Sequence, residues 1–290
     1  MRVIVNKISY SQLSMFTECP HHWKLRYVDD ISMFEYNIYL IFGNAVHETL
    51  QKYLEVLYYD SAKNADLLDL NEMLMDSLVE NFKIAKEHDD KACCTKEDLQ
   101  EFFEDGVAII DFVKKRRNDY FGKRGFKLIG CEVPIDVKLK KDIKMVGYLD
   151  VVILDEIHNT IKIIDIKTST RGWNKWQKKD ENKTQQLLLY KQFYAEQYNH
   201  PVDKIDVEYF IVKRKLWEEA MFPQKRVQKF VPASGKPSMN KVARRLDIFL
   251  NEAFTDGGEY KVDTIKALPS KKACRFCEFD QTEYCSYGIK

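Results

Sequence analysis

Three consecutive segments rich in Val and Ile constrain the fold of this chain more than any other feature. They cover residues 127–138, 143–155 and 160–167, and short polar stretches separate them. Runs of this length and composition, bounded by turn residues, are typical of β-strands. We therefore expect three consecutive strands that form an antiparallel meander.

Helical patterns flank the meander on both sides. The predicted helices cover residues 8–28 (opened by Ser11 or Ser14 and broken at Pro20), 43–58, 65–88, 96–119, 184–198 and 238–254. A strand at 205–213 and a strand remnant near 226–231 follow the crossover helix. This order predicts an α/β domain with an added helical region.

Composition limits the classes of function. A hydrophobic fraction of 45% allows a sizeable core and excludes wholesale disorder. With 46 basic and 45 acidic residues, the net charge of +1 neither requires nor excludes a nucleic-acid partner. No apolar run is long enough to span a membrane, and the N-terminus lacks the features of a signal peptide. We expect a cytoplasmic protein whose cysteines are better metal ligands than disulfide partners.

The strongest catalytic signal lies in two neighbouring strands of the meander. Asp150 belongs to GYLD, and Asp165 and Lys167 belong to IIDIKT. Because side chains alternate along a strand, Asp165 and Lys167 share one face. If residues 156–159 form the hairpin loop, the register places Asp150 opposite Asp165, with Cβ atoms about 4.5–5.5 Å apart.

Two carboxylates at that distance repel each other, and a divalent cation removes the cost. Oxygen ligands of this kind suit Mg²⁺ or Mn²⁺, and Lys167 can hold the attacking water or a phosphate oxygen. The alternative is a solvated strand face with an ordinary Asp–Lys pair, because D-x-K is a common tripeptide. The flanking isoleucines and the spacing Gly147-x-x-Asp150 favour the metal site.

Two residues of the crossover helix point toward the same region. Gln186 and Tyr190 are four positions apart and therefore share a helix face. Gln186 could orient Lys167 or a nucleophilic water, and Tyr190 could contact a phosphate or stack on a base. The alternative is a helix boundary inside the core, because three leucines lie between them.

Two further residues are weaker candidates for the site. His47 lies on an apolar helix face, where a histidine is usually a core residue. As a third metal ligand it would shift preference from Mg²⁺ toward Mn²⁺. Glu132 on the first strand could assist Asp150, or it could be an ordinary residue at a strand edge.

A group of cysteines joins the two ends of the chain. Cys274, Cys277 and Cys285 form C-x2-C-x7-C near the end, and Cys19 lies near the start. Cys-x2-Cys suits two thiolates that bind one metal or cluster. Zinc and a [4Fe–4S] cluster fit the ligand count equally well, and either would be structural. The alternative is a set of unrelated free cysteines.

Basic and aromatic residues alternate after the active strands. The candidates for DNA contact are Trp173, Lys175, Trp176, Lys213 and Arg214, with Lys178, Lys179, Lys215 and Trp217 nearby. Such residues suit a single-stranded nucleic acid, with lysines on phosphates and rings on bases. The alternative is a solvated loop with half-buried tryptophans.

The order of these motifs resembles the PD-(D/E)XK superfamily, specifically the iron–sulfur branch of its RecB-like nucleases. That branch includes the CRISPR-associated RecB-like exonucleases and the AddB nuclease domain. The resemblance covers nearly the full chain and runs through ISYSQLSMFTECPHHWKLRY, GNAVHETL, GYLD, IIDIKT, QLLLY and the three-cysteine tail. The spacing of seven residues before Cys285 is longer than is common in the family.

The resemblance implies a role for each candidate residue. His47, Asp150, Asp165 and the backbone carbonyl of Ile166 would bind Mg²⁺ or Mn²⁺, and Lys167 would be the catalytic lysine. The family's Q-x3-Y motif matches Gln186 and Tyr190. Cys19, Cys274, Cys277 and Cys285 would hold a [4Fe–4S] cluster.

The resemblance also implies the domain organisation. It predicts one nuclease domain over residues 1–290 with a restriction-endonuclease-like core, which is a mixed central sheet flanked by helices. The core would cover residues 126–232, a helical insertion 59–125, and an iron–sulfur staple residues 1–30 and 265–290.

The function that follows is a metal-dependent DNA nuclease. It would be an exonuclease for single-stranded or end-frayed DNA in recombination, repair or replication. The chain lacks G-x4-G-K-[ST], so unwinding would need a helicase or recombination partner. The alternatives are a non-catalytic DNA-binding or assembly subunit with the same fold, and a zinc-stapled structural protein.

Overall fold

The central sheet contains the predicted meander. The computed structural model describes residues 7–88 and 93–289. The strands are β1 (Lys7–Ile8), β2 (Phe126–Lys138), β3 (Lys144–Asp155), β4 (Thr160–Ser169), β5 (Ile205–Lys213) and β6 (Val227–Phe230). The described sheet has the order β1-β3-β4-β5-β6, and β2 also pairs with β3. The pairs β2–β3 and β3–β4 are antiparallel, and β4–β5 is parallel, so the sheet is mixed.

Helices cover both faces of this sheet. They are α1 (Tyr10–Glu18), α2 (Pro20–Tyr27), α3 (Ile38–Tyr59), α4 (Ala62–Leu67), α5 (Leu70–His88), α6 (Lys96–Lys115), α7 (Arg117–Tyr120), α8 (Lys175–Lys179), α9 (Glu181–Thr184), α10 (Gln186–Gln197), α11 (Lys236–Ala253) and α12 (Lys271–Cys274). Among the described residues, no helix is both long and apolar enough to cross a membrane.

Two apolar layers hold the helices to the sheet. One layer, with Trp23, Leu187 and Phe249 at its centre, packs α1, α2, α10 and α11 on one face. The other layer, with Leu54 and Ile109, packs α3, α5 and α6 on the opposite face. The result is an α/β architecture of three layers, and the α/β class is what the order of the sequence patterns predicts.

The N-terminal region differs from the sequence prediction. The predicted helix over 8–28 is two helices separated at Cys19, because Pro20 starts α2 where its missing N–H costs nothing. The residue that caps α1 is Ser9, whose hydroxyl accepts from the Gln12 amide at 3.4 Å, so the prediction of Ser11 or Ser14 was wrong. Strand β1 has only two residues, too few for a recognisable pattern.

A buried ion pair fastens α6 to the end of β5. Arg214 is 8% exposed, and its Nη1 lies 2.7 Å from Asp105 Oδ2 and 2.9 Å from Glu101 Oε1. The guanidinium also lies 4.0 Å from the centre of the Phe102 ring. Charge, hydrogen bonding and ring stacking together fix the added helices beside the carboxyl end of β5.

We predict that Asp105→Ala destabilises the protein by about 3 kcal/mol, because it leaves Arg214 buried without its closest carboxylate. Urea unfolding followed by circular dichroism measures the difference. Asp111→Ala, at an exposed position of the same helix, should change stability by less than ~0.5 kcal/mol. Equal effects of the two substitutions would show that the pair does not hold α6 in place.

Candidate active site

The site forms where β3 and β4 separate. Their ladder runs from Asp155 opposite Thr160, as the sequence predicts, to Val151 opposite Ile164. The next pair in this register would be Asp150 with Asp165, and the described ladder stops before it. At that point the Ile166 amide donates to Oδ2 of Asp150 at 2.7 Å. Where the strands separate, the Asp150 carboxylate therefore accepts the hydrogen bond of the Ile166 amide.

Asp150 can reach that amide because the alternation of side chains along β3 is interrupted. Met145 and Leu149 pack in the layer of α10, whereas Val151 and Ile153 pack in the layer of α3. Regular alternation would place all four odd-numbered residues on one face. The face therefore changes at Asp150, and the carboxylate is turned toward the opening between the strands.

Strand β2 makes the same change beside it. Val133 and Ile135 pack in the layer of α10, and Cys131 packs against the layer of α3. Glu132, between them, has a φ of 49°, which is the left-handed region. A non-glycine residue in this conformation costs roughly 1–2 kcal/mol, and such residues cluster at functional sites. Glu132 lies next to Asp150 in the register of the two strands.

The side chains of β4 and α10 meet as the sequence predicts. Asp165 is 4% exposed, and Lys167 Nζ lies 2.7 Å from its Oδ2. The same Nζ lies 3.5 Å from Gln186 Oε1, and Gln186 Nε2 lies 3.4 Å from the Tyr190 hydroxyl. These contacts form one continuous polar path from Asp165 on the sheet to Tyr190 on the helix.

Gly147 makes room for the tyrosine. A Cβ atom at this position would lie 2.7 Å from the Tyr190 hydroxyl oxygen and 3.0 Å from two of its ring carbons. No side chain fits there unless Tyr190 moves. The spacing Gly147-x-x-Asp150 therefore has a physical cause, which is the approach of α10 to β3.

The start of α10 is held by residues that the sequence analysis missed. Arg245 donates from its guanidinium to the side-chain oxygens of Gln185 and Asn182. The Tyr10 hydroxyl donates to the backbone carbonyl of Asn182 at 3.0 Å. These groups are about 60 and 170 positions from their partners, so no local pattern could reveal them. They fix the position of Gln186.

His47 approaches the site from the opposite layer. Its Nδ1 lies 3.6 Å from Asp150 Oδ2. Burial, followed by the Lys167 cation, lowers the pKa of His47, so the neutral imidazole that binds metals is favoured. Gln51, also on α3, donates to Glu132 Oε1 at 2.6 Å and to the Asp150 carbonyl at 3.1 Å. Helix α3 thus supports both acidic residues.

Burial controls the charges of the two aspartates. It raises the pKa of Asp150 and of Asp165 to about 6, against the opposing effect of the Lys167 cation. Burial also disfavours the charged form of Lys167, but the carboxylates outweigh it and the pKa of Lys167 is raised. The Lys167 ammonium therefore faces two carboxyl groups, Asp150 and Asp165, whose ionised forms are disfavoured by burial.

The donor set fits a divalent cation. Among the described residues, Asp165 Oδ2 is buried without any hydrogen-bond donor other than the Lys167 ammonium, which lies 2.7 Å away. This oxygen, the Asp150 carboxylate, the His47 imidazole and the Ile166 carbonyl are donors suited to Mg²⁺ or Mn²⁺. The ligand atoms of His47, Asp150 and Asp165 are not all within 4.8 Å of one another.

The four predicted cysteines converge at a second place. Cys19, Cys274, Cys277 and Cys285 line one cavity between the α1–α2 junction and the tail. Burial raises the pKa of Cys285, and the other three thiols raise it further. No three of these sulfurs lie within 4.8 Å of one another.

A second donor group lies at the edge of this cavity. Within the part of the chain that the structure describes, the three-residue group with ligand atoms within 4.8 Å of one another is His22, Cys277 and Glu278. His22 Nε2 lies 3.1 Å from Glu278 Oε2. The sequence analysis did not single out His22 or Glu278.

The residues predicted to contact DNA fall into different environments. Trp173 is 7% exposed and packs on Tyr209, so its ring is enclosed by protein. Arg214 is committed to its buried carboxylates. Lys213 is half-buried, and burial lowers its pKa. Trp176 is 69% exposed, with Lys175 Nζ 5.1 Å from its ring centre.

The raised pKa of Asp150 predicts how metal-free stability depends on pH. As pH rises from about 4 to about 6, the unfolded chain loses this proton before the folded chain does, so stability falls and stays lower above that window. Asp150→Asn should therefore be more stable than the parent at about pH 8 in chelator, by about 1–3 kcal/mol, and similar to it near pH 4.

Urea unfolding at both pH values measures this difference. Asp206→Asn, at an exposed position of β5, should show no gain at either pH. A parent protein that is as stable at about pH 8 as the Asp150→Asn variant would contradict the burial effect.

A family model matches most of this chain, and a solved structure is similar to it. A family model described as the PD-(D/E)XK nuclease superfamily matches residues 7–282. No curated protein sequence matches the chain. A solved structure from Eubacterium rectale, of a protein provisionally named an exonuclease, is similar with a TM-score of 0.46 and 13% identity, over 85% of this chain and 79% of that chain. The family match includes both acidic strands and the tail through Thr282, and the chain therefore belongs to the PD-(D/E)XK nuclease superfamily.

Proposed function

We propose that this protein is a DNA exonuclease that hydrolyses phosphodiester bonds of single-stranded or end-frayed DNA. Members of its superfamily are nucleases that depend on a divalent metal. The observation that carries the proposal is the site between β3 and β4. There, the buried Asp165 and the half-buried Asp150 face one lysine, and Asp165 Oδ2 has no hydrogen-bond donor but the Lys167 ammonium among the described residues. An intact set of this kind favours an enzyme over a subunit that only binds or assembles.

Each residue has a defined part in the hydrolysis. Asp150, Asp165, His47 and the Ile166 carbonyl would hold Mg²⁺ or Mn²⁺, which lowers the pKa of water and neutralises charge on the phosphate. The Lys167 ammonium would hold the attacking water or a phosphate oxygen through its positive charge.

The helix residues complete the arrangement. Gln186 restrains Lys167 through its Oε1, and Tyr190 restrains Gln186 through its hydroxyl. Lys175 and Trp176 lie exposed after β4 and would contact the substrate, with the lysine on a phosphate and the ring on a base.

The wider assignment follows from the same resemblance. Residues 1–290 form one nuclease domain, in which 126–232 is the core, 59–125 the helical insertion, and 1–30 with 265–290 the staple. Unwinding of duplex DNA would come from a helicase or recombination partner, in recombination, repair or replication in the cytoplasm.

We predict that Lys167→Ala abolishes cleavage but leaves DNA binding largely intact, because the ammonium acts on the reacting groups. The assay follows end-labelled linear and circular single-stranded DNA with Mg²⁺, Mn²⁺ or chelator. Linear DNA should be degraded with metal, and circular DNA should resist. Lys144→Ala, an exposed lysine of β3, serves as the matched control and should cut like the parent. A Lys167→Ala variant that still cuts would refute the assignment of this site.

We also propose that Cys19, Cys274, Cys277 and Cys285 hold a [4Fe–4S] cluster that joins the two ends of the chain. The cavity that the four cysteines share supports one common group, and the resemblance to the iron–sulfur branch favours a cluster over zinc. A cluster with four protein thiolates would stabilise the contact between the α1–α2 junction and the tail.

Anaerobic purification should give a brown protein with about four iron atoms per chain and no stoichiometric zinc. Cys274→Ser should lose the iron and lower the melting temperature. Cys94→Ser, outside the cavity, should keep both. A colourless protein with one zinc per chain would overturn the iron–sulfur assignment.

A further inference from the structure

We propose that Trp217 and Arg171 form a stacking site for a nucleobase of the DNA strand, beyond the catalytic lysine. This inference rests on the proposed function and names how the enzyme holds its substrate. Trp217 is 60% exposed, which is unusual for the largest apolar side chain. The Arg171 guanidinium carbon lies 4.1 Å from the centre of its ring.

The two residues lie directly beyond the ends of β4 and β5. The strands remain hydrogen-bonded past their last ladder pair, because Arg214 and Lys215 donate to the carbonyls of Ser169 and Thr170 at 2.9 and 2.7 Å. Arg171 follows β4, and the segment leading to Trp217 follows β5. Arg171 is four residues after Lys167, so the two lie within about 13 Å, or about four stacked nucleotides at ~3.4 Å each.

The backbone of Trp217 is held in place before any ligand arrives. Its amide donates to Gln224 Oε1 at 3.1 Å, and Gln224 Nε2 donates back to its carbonyl at 2.7 Å. Arg226 closes the base of the loop by donating to the Arg214 carbonyl at 2.8 Å. A ring on a fixed backbone loses little conformational freedom when a base stacks on it.

The residues around Trp217 favour a nucleobase that is attached to a phosphate backbone over a free anion. Trp217, Met221 and Phe222 line a cup of about 750 Å³ together with Arg171. Glu218 and Glu219 also line this cup, so a phosphate would be repelled from its interior whereas a base would be accepted.

The segment of chain that contains Arg171 is positively charged. Residues 166–179, the segment that contains Arg171, carry five basic side chains and no acidic one. No ion pair with a carboxylate is found for Arg171 within the described residues. A strand could therefore place phosphates along this segment while one base enters the cup.

Binding of labelled oligothymidylate in chelator tests the site without cleavage. Fluorescence anisotropy of a fluorescein-labelled 20-mer should show about five- to hundredfold weaker binding for Trp217→Ala, the loss expected when one stacking ring is removed. Trp217→Phe should retain most of the affinity. Tyr59→Ala, which removes an equally exposed ring at the far end of α3, should bind like the parent.

An abasic oligomer of the same length separates base stacking from phosphate contact. It should bind the parent and Trp217→Ala equally, because it has the charge but no base to stack. Equal affinity of the parent and Trp217→Ala for oligothymidylate overturns the proposal, as does an equal loss for the abasic oligomer. A parent that binds oligothymidylate through Trp217 but cleaves no DNA with Mg²⁺ or Mn²⁺ would instead refute the proposed nuclease activity.

Discussion

The separation of β3 from β4 at Asp150 determines the rest of the site. A continuous ladder would enclose this position between two strands and leave no space for a substrate. The carboxylate of Asp150 instead accepts the Ile166 amide at 2.7 Å, so the strands can part without leaving that buried amide unpaired. The same hydrogen bond fixes the side chain that would bind the metal, and structure and chemistry thus depend on one contact.

This opening also brings together two helices that the sheet otherwise separates. His47 comes from α3 on one face, and Gln186 comes from α10 on the other. Both reach the acidic residues because the sheet is interrupted between them. A site assembled through a sheet needs its helices held accurately on both sides. Gly147 allows α10 to approach β3 closely, and Gln51 ties α3 to the acidic residues.

The sequence predicted the parts of this arrangement that depend on local pattern. The meander, its hairpin register, and the shared face of Asp165 and Lys167 follow from a side-chain period of two. The change of face at Asp150 could not be predicted from residue type, and neither could the left-handed conformation of the neighbouring Glu132, which its residue type does not favour. Trp173 and Trp176 are three residues apart with similar neighbours, yet tertiary packing buries one and exposes the other.

Contacts between distant parts of the chain explain why the ends matter to the centre. Lys272, in the tail that carries the cysteines, lies 3.0 Å from Asp180, which caps α9. Tyr10, on helix α1 directly before Cys19, donates from its hydroxyl to the backbone carbonyl of Asn182. Both contacts act on the segment that immediately precedes Gln186. A group that joins Cys19 to the tail would therefore restrain the start of α10 from two directions. Its stabilising effect would extend, through Gln186, to the position of the Lys167 ammonium.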